Sequence, residues 1–250
     1  LFLAVDEQGN EVVIRELHRS QCLKLRPHWR FRSGLRIRRA LSPHPNIVAP
    51  YGSGYCGPVP YEIIEYVPGE NLRESILKRD ETIRAYALEI LREVATALGH
   101  MHSQQLLHLD VKAENVLVCA RENGDGLTVK LTDFDLSRKY GGGRERLRSG
   151  TASHMAPEQL TGGTVSYAND MFAFGVMAYY FVTGKMPFSG FSLDQVRKHQ
   201  VSRKFNVVEP RRLNAALAPK LNWIIMRCLE KDRNDRFPNM AYLLQELGRI

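Results

Sequence analysis

Two hydrophobic patterns follow one another along the chain. The first part carries short apolar runs with the length of β-strands. These runs lie at Leu1–Val5, Glu11–Leu17, Val48–Tyr51 and Tyr61–Tyr66. Between the first two, Asp6–Asn10 contains a Gly-Asn pair that is typical of a hairpin turn. The pattern predicts a small, strand-rich unit at the start of the chain.

From Asn71 onward, apolar residues recur with the period of an α-helix. One face carries Ile83, Ala87, Ile90, Leu91, Val94, Ala95 and Leu98. Two strands, Val116–Cys119 and Thr128–Thr132, flank a predicted turn at Asn123–Gly126, and later helices are predicted at Asn169–Thr183, Leu193–Gln200, Pro219–Leu229 and Met240–Leu247. This order predicts an α+β fold with a β-rich lobe over residues 1–66 and a larger helical lobe over residues 67–250.

The positive charge of the chain is concentrated in one segment. Lys and Arg exceed Asp and Glu by 35 to 27, and Leu17–Ala40 contains eight basic residues and no acid. Within it, Trp29–Arg32 and Leu35–Arg38 alternate apolar and basic residues, while Pro27 and Gly34 oppose a long helix. We therefore predict that the segment is not a regular helix, and that an apolar row packs inward while a cationic row faces solvent.

Such a cationic row suits an anionic membrane or an acidic protein surface, although a merely solvated face is the alternative. No base-reading motif accompanies it, so nucleic acid is not an expected partner. The longest apolar run, Met171–Val182, is too short to span a bilayer. Four widely spaced cysteines argue against a zinc site and favour free thiols in a reducing compartment, so a cytoplasmic location is the default expectation.

Candidate chemistry lies in the stretch His108–Asn115. Asp110, Lys112 and Asn115 have the spacing to meet at one phosphoryl-transfer centre, where they would accept a hydroxyl proton, neutralise phosphate and hold a metal ion. A second acid for metal binding, Asp133, follows an apolar strand. His108 itself is interpreted as a packed structural histidine rather than a base.

In this order, and with Ala156-Pro157-Glu158 further on, these motifs resemble those of eukaryotic-type protein kinases, and the resemblance covers the chain from Leu1 to its end. It implies the two-lobed protein-kinase fold, with an antiparallel β-rich N-lobe and a helical C-lobe. It also implies Mg²⁺ and ATP as cofactors, Asp110 and Lys112 as catalytic residues, and Asn115 and Asp133 as magnesium ligands. Lys112 makes the resemblance one to the serine/threonine type.

The resemblance also implies structural and nucleotide-binding roles. Asp170 would anchor the catalytic loop, and Arg236 would form an ion pair with Glu158. The expected nucleotide-binding residues are Val13, Arg15, Ile64 as gatekeeper, Glu65 and Val67 of the hinge, and Leu117.

Several positions depart from the family pattern. Arg15 replaces the phosphate-binding lysine, and the segment that should supply its glutamate partner has no acid. Val13 stands where alanine usually covers adenine, Leu109 replaces an arginine that receives activation-segment phosphate, and Asp135 replaces a flexible glycine without removing a ligand. The family's Gly-rich loop would lie before Leu1, outside this sequence or absent from the protein.

Two functions are therefore expected. The first is a divergent Ser/Thr kinase of weakened activity that transfers the γ-phosphate of Mg-ATP to protein substrates. The alternative is a pseudokinase that serves as a nucleotide-binding or partner-binding scaffold. With Leu109 in place, phosphorylation of Ser149, Thr151 or Ser153 is not expected to be needed to order the site.

Overall fold

The computed structural model describes residues 1–22, 24–121, 126–141 and 151–250. The strands are β1 (Phe2–Val5), β2 (Glu11–Glu16), β3 (Pro50–Cys56), β4 (Val59–Glu65), β5 (Glu70–Asn71), β6 (Leu106–Leu107), β7 (Val116–Ala120), β8 (Leu127–Leu131) and β9 (Arg138–Lys139). The helices are α1 (Arg19–Cys22), α2 (Leu25–Ala40), α3 (Leu72–Lys78), α4 (Glu81–Ala85), α5 (Ala87–Ser103), α6 (Pro157–Leu160), α7 (Tyr167–Thr183), α8 (Leu193–Val201), α9 (Pro210–Leu213), α10 (Pro219–Cys228) and α11 (Met240–Leu247), with 3₁₀ turns at Ala113–Asn115 and Ala152–His154.

The N-terminal part is an antiparallel sheet with strand order β1-β2-β4-β3. The predicted β1–β2 hairpin is confirmed, and its turn places Gly9 at a φ of +88°, a conformation that glycine adopts without strain. Between β2 and β4 the register sets Val13 opposite Ile64 and Arg15 opposite Glu62. Because opposed residues point to the same face of a sheet, each of these pairs shares one face.

The prediction that the basic segment is not a regular helix is wrong, since α2 is continuous over sixteen residues. Pro27 is the third residue of α2, in the first turn, where backbone N–H groups have no intrahelical acceptor. Gly34 lets α2 pack closely against Phe134 and Asp135, because a Cβ at this position would lie 2.9 Å from Asp135 Oδ1 and 3.0 Å from the Phe134 carbonyl carbon. Both residues therefore serve the helix rather than break it.

The predicted apolar and cationic rows are wrong for the same reason. The helical period buries Phe31, Gly34, Ile37 and Arg38, so that Arg38 is only 2% exposed. By contrast, Trp29 is half exposed. Other arginines of α2 do lie at the surface (Arg26, Arg32, Arg36 and Arg39). Binding of this segment to an anionic membrane or acidic surface stays a prediction.

The C-terminal part packs its helices around α5 and α7. The predicted apolar face is interrupted at Tyr86, where α4 ends and α5 begins, but Ile90, Leu91 and Leu98 are fully buried as expected. Two small sheets, β5-β7-β8 and β6-β9, lie beside this core. The predicted later helices are present as α7, α8, α10 and α11. Most of the predicted turn at Asn123–Gly126 lies outside the described residues.

Across the described ranges, no helix is long and apolar enough to cross a bilayer. All four cysteines are described and are free. Within the same ranges, no group of three or more His, Cys, Asp or Glu side chains could hold a metal ion.

Candidate active site

The loop that carries Asp110 is held in place by a buried aspartate of α7. Asp170 accepts hydrogen bonds from the backbone N–H groups of His108 at 2.9 Å and Leu109 at 2.7 Å. The ring of His102 lies 2.9 Å from the same carboxylate. Burial alone would raise the pKa of Asp170, but the interactions with His102 and His108 lower it. Asp170 therefore holds Leu109 at a φ of +64°, which a leucine rarely adopts.

Asp110, Lys112 and Asn115 come together as the sequence predicted. Lys112 Nζ lies 2.6 Å from Asp110 Oδ2, and Asn115 Nδ2 donates to the same oxygen at 3.0 Å and to the Asp110 carbonyl at 2.8 Å. Burial would raise the pKa of Asp110, but Lys112, His108 and Asn115 lower it. The carboxylate is therefore ionised at neutral pH and can accept a proton or a hydrogen bond. His108 is fully buried beside Phe134, and burial lowers its pKa.

Thr151 is a site residue that the sequence reasoning treated only as a candidate for phosphorylation. Its hydroxyl lies 3.3 Å from Lys112 Nζ and donates to Asp110 Oδ1 at 3.4 Å. It closes a ring of polar contacts around the candidate base. The sequence feature that could have indicated a role for Thr151 in the site is its position shortly before Ala156–Glu158. Ser149 lies outside the described residues, whereas Ser153 Oγ lies 3.1 Å from His154 Nδ1.

The two predicted magnesium ligands are held side by side by β7 and β8. The N–H of Thr132 donates to the Asn115 carbonyl at 2.9 Å, which brings the start of β7 next to the end of β8. Both hydrogen bonds of the Asn115 side chain come from Nδ2, so Oδ1 is the atom that can bind a cation. Asp133 is about one-third exposed (36%) and adds a carboxylate. One carboxylate and one amide oxygen suit Mg²⁺, which usually takes one or two carboxylates plus phosphate oxygens.

Arg15 forms ion pairs with three acidic residues, one of which is the predicted magnesium ligand Asp133. Its Nη1 lies 2.8 Å from Glu62 Oε1, and its Nη2 lies 3.4 Å from Asp133 Oδ1 and also contacts Asp135 Oδ2. Burial alone would lower the pKa of Arg15, but the charges of Asp135, Asp133 and Glu62 raise it. The prediction that Asp135 costs only flexibility was incomplete, because Asp135 binds Arg15.

A second arginine completes the cluster. Arg38 of α2 places Nη1 3.2 Å from Glu62 Oε2, and its guanidinium lies over the Phe134 ring, 4.7 Å from the centroid. Burial lowers the pKa of Arg38, an effect that Glu62 opposes. The segment Leu17–Ala40 indeed supplies no acid, but Glu62 of β4 supplies one. Sequence reasoning missed Glu62 and Arg38 because the pairing of β2 with β4 and the burial of α2 both depend on tertiary structure.

Comparison with known proteins now decides the family. A model of the protein kinase domain matches residues 2–246 of the chain. The chain belongs to the protein kinase family. Serine/threonine-protein kinase PknB of Mycolicibacterium smegmatis is 31% identical over 88% of this chain and 36% of its own length. PknB of Mycobacterium tuberculosis is 29% identical with the same two coverages.

A third relative, named as a probable serine/threonine-protein kinase of Clostridium perfringens, is 30% identical over 83% of this chain and 30% of its own length. The chain thus spans about a third of the length of these curated relatives. The observed sheet and helices have the two-lobed α+β architecture of the kinase fold. Protein kinases in general use ATP and Mg²⁺ and act on proteins.

In this kinase domain, most of the predicted nucleotide-binding residues form one apolar cluster. Ile64 and Val67 are buried, and Val13 and Leu117 pack against them. Glu65, at the end of β4, directs its carboxylate elsewhere: Oε2 accepts from the Ala49 N–H at 3.0 Å and from Lys130 Nζ at 2.7 Å. Arg15 lies apart from this apolar cluster, in the charged one.

The predicted ion pair of the C-lobe is present. Arg236 donates through Nη1 and Nη2 to the two carboxylate oxygens of Glu158, at 2.8 and 2.9 Å, and also to the Ala168 carbonyl at 2.7 Å. Leu109, where many kinases carry arginine, lies instead in an apolar cluster with Leu107, to which partly buried side chains add (Leu136, Val165 and Tyr167). Position 109 therefore offers no cation to a phosphorylated activation segment.

Proposed function

We propose that this domain transfers the γ-phosphate of Mg-ATP to serine or threonine hydroxyls of protein substrates. The observation that carries the proposal is the ring of contacts among Asp110, Lys112, Asn115 and Thr151, with Asp133 beside it. The names of the relatives support the same activity, since each is a serine/threonine-protein kinase or is named as a probable one. Localisation stays an expectation, with the cytoplasm as the default.

Four residues of the site have definite tasks in this reaction. Asp110 accepts the proton of the substrate hydroxyl as the hydroxyl oxygen bonds to the γ-phosphorus and the bond from that phosphorus to the β-phosphate oxygen of the leaving ADP breaks. Lys112 places a positive charge beside Asp110, where the transferred group carries its negative charge. Asn115 and Asp133 would hold Mg²⁺. When bound, the metal ion supplies charge neutralisation at the phosphates.

We also propose that the activity is weakened. Arg15 shares its guanidinium among Glu62, Asp133 and Asp135, so less of its charge is directed at phosphate than a lysine with one acid partner would offer. Removal of one electrostatic contact of this kind commonly costs roughly 100- to 1000-fold in rate, so partial loss would slow a kinase without abolishing it.

The same contacts favour one alternative, a pseudokinase scaffold. Arg15 occupies an oxygen of Asp133, a predicted metal ligand, and could hold that carboxylate away from Mg²⁺. On this alternative the domain would bind partners, with or without nucleotide, and would transfer no phosphate.

A phosphotransfer assay with purified protein separates the two functions. We expect transfer to serine or threonine of a generic protein substrate, identified by phosphoamino-acid analysis, and a loss of at least about 100-fold in Asp110→Asn. ATP affinity, measured by calorimetry, should fall strongly when Mg²⁺ is withheld, because the protein-side phosphate contacts are few. A wild-type rate equal to that of Asp110→Asn would overturn the kinase proposal and leave the scaffold.

A further inference from the structure

The acid that pairs with Arg15 Nη1 is Glu62, which comes from the neighbouring strand β4 and not from helix α2. Arg15 and Glu62 stand directly opposite each other on the paired strands β2 and β4, so their side chains leave the sheet on the same face. Glu62 is only 2% exposed, yet both of its oxygens face arginines: Oε1 lies 2.8 Å from Arg15 Nη1 and Oε2 lies 3.2 Å from Arg38 Nη1. Glu62 is therefore the bridge between the sheet and helix α2.

We propose that Glu62 is a positioning residue that orients Arg15 toward the phosphates of the nucleotide, and that Arg38 holds Glu62 in place. In the family pattern a strand lysine pairs with a glutamate of the helix. Here strand β4 supplies the glutamate, Glu62, and helix α2 supplies a second arginine, Arg38. This inference rests on the proposed function, since it assigns a task within nucleotide binding.

An anchor for Arg15 is needed because two further acids compete for it. The side chain is long, and Asp133 and Asp135 both contact Nη2. Glu62 engages Nη1 and the Phe31 ring lies beneath the guanidinium, 4.8 Å from its carbon. With Nη1 bound to Glu62, the Nη2 side of the guanidinium is left for other partners. Nη2 already contacts Asp133 and Asp135; without Glu62, Nη1 could turn to these acids as well, and less of the guanidinium would be left for phosphate.

Arg38 is explained by the same bridge. Its side chain is 2% exposed, and among the residues that the structure describes its Nε and Nη1 have no hydrogen-bond partner, although Nη1 lies within ion-pair distance of Glu62. A buried charge with so few partners is costly unless it balances an opposite charge. The Glu62 carboxylate is that opposite charge, and the Phe134 ring adds a contact of the cation–π kind. Arg38 thus couples the position of α2 to the orientation of Arg15.

The test compares two ligands that differ only in their phosphates. Calorimetry in the presence of Mg²⁺ would measure the affinity of wild type and Glu62→Gln for ATP and for adenosine. We expect Glu62→Gln, which removes the negative charge that anchors Arg15, to weaken ATP binding by about 10-fold and to leave adenosine binding unchanged. A merely structural role would weaken both ligands alike. Glu62→Asp keeps the charge and should recover part of the ATP affinity.

A second variant guards against misfolding. Glu62→Gln leaves Arg38 buried without an acid, so its melting temperature should fall. The double variant Glu62→Gln/Arg38→Gln removes both charges and should regain stability, yet Arg15 would still lack its anchor and ATP binding would stay weak. Asp194→Asn is the control, since it removes one carboxylate from an exposed ion pair with Arg197 within α8.

The outcomes separate this inference from the proposed function. If wild type transfers phosphate but the Glu62 variants keep its ratio of ATP to adenosine affinity, positioning by Glu62 is refuted and the kinase function stands. Equal losses for ATP and adenosine in the folded double variant would also refute it. If wild type binds no ATP at all, the proposed function fails and this inference fails with it.

Discussion

At the scale of single residues, the hydroxyl of Thr151 joins the two groups on which phosphotransfer depends. It contacts Lys112 Nζ at 3.3 Å and Asp110 Oδ1 at 3.4 Å. A phosphate on this hydroxyl would bring negative charge against the Asp110 carboxylate. Thr151 is therefore better explained as part of the site than as a position for regulatory phosphorylation.

The variant Thr151→Val keeps the shape of the side chain and removes the hydroxyl. We expect the phosphotransfer rate to fall by about 10-fold, because hydrogen bonds to two charged groups are lost. Thr161→Val is the control, since the Thr161 hydroxyl donates to backbone carbonyls in the first turn of α6, with Pro157 O at 3.1 Å. Equal rates for the two variants would contradict a role for Thr151 at the site.

Arg15→Lys tests how the guanidinium is used. A lysine has a single ammonium group and cannot span Glu62 and Asp135 together, so one of these acids would lose its contact with residue 15. We expect kcat/KM to fall, by less than about 10-fold, because the positive charge is kept. Arg15→Met, which loses the charge as well, should lose more. A hundred-fold gain on Arg15→Lys would mean that arginine obstructs the site.

At the scale of elements, helix α2 depends on a glycine that helix propensity alone would disfavour. A Cβ at Gly34 would lie 3.0 Å from the Phe134 carbonyl oxygen and 2.9 Å from Asp135 Oδ1. Gly34→Ala would gain about 1 kcal/mol from propensity, yet overpacking commonly costs about 1–3 kcal/mol. We expect the melting temperature to fall and ATP binding to weaken.

Gly99→Ala in helix α5 is the matched control for that prediction. A Cβ there would meet the Met240 Cβ at 3.4 Å, an ordinary packing distance. The same substitution should therefore leave the melting temperature unchanged or raise it. If Gly34→Ala were as stable as Gly99→Ala, the close approach of α2 to Asp135 would not be what keeps a glycine at position 34.

These elements also indicate what the sequence could and could not predict. The helices α5, α10 and α11 follow from local pattern, because their apolar periodicity matches what they bury. The β1–β2 hairpin follows from its turn residues, and α7 from a continuous apolar run that is buried on nearly all sides. Helix α2 does not, because its buried face includes Arg38, which counts as polar in any pattern. The partner of Arg38 lies on another element, and only the folded sheet brings Glu62 to it. Local sequence carries no record of such a pair.

At the scale of the whole molecule, buried polar groups tie the loops of the C-lobe to its helices. Asp170 of α7 holds the loop before Asp110, and Arg236 ties Glu158 to the start of α7 through the Ala168 carbonyl. Burial would raise the pKa of Asp170, but interactions with His102 and His108 outweigh burial and lower this pKa, so its contribution to stability is lost only as the pH falls through the carboxylate range. A buried histidine whose pKa is lowered makes stability depend on pH at higher values, up to its unfolded pKa near 6.5.

His154 provides the clearest case. Burial, with the charge of Lys112 acting in the same direction, lowers its pKa from the usual value near 6.5 to about 4. Between these two pH values the unfolded chain binds a proton that the folded chain does not, so the free energy of unfolding falls as the pH drops from 6.5 toward 4. The full effect of this residue is about 3 kcal/mol. His108, whose pKa burial also lowers, acts in the same direction.

Denaturant unfolding at pH 7 and at pH 4.5 measures this loss. We expect wild type to lose stability between the two, and His154→Gln to lose less, because glutamine takes up no proton in either state. The variant also gives up the contact with Ser153 Oγ, so its stability at pH 7 can be lower, and the difference between the two pH values is the quantity to compare. His18→Gln is the control, since it makes the same exchange at an exposed position. If His154→Gln were as sensitive to acid as wild type, the loss would have to come from His108 and the buried carboxylates, and His154 would be protonated in the folded chain as easily as in the unfolded one.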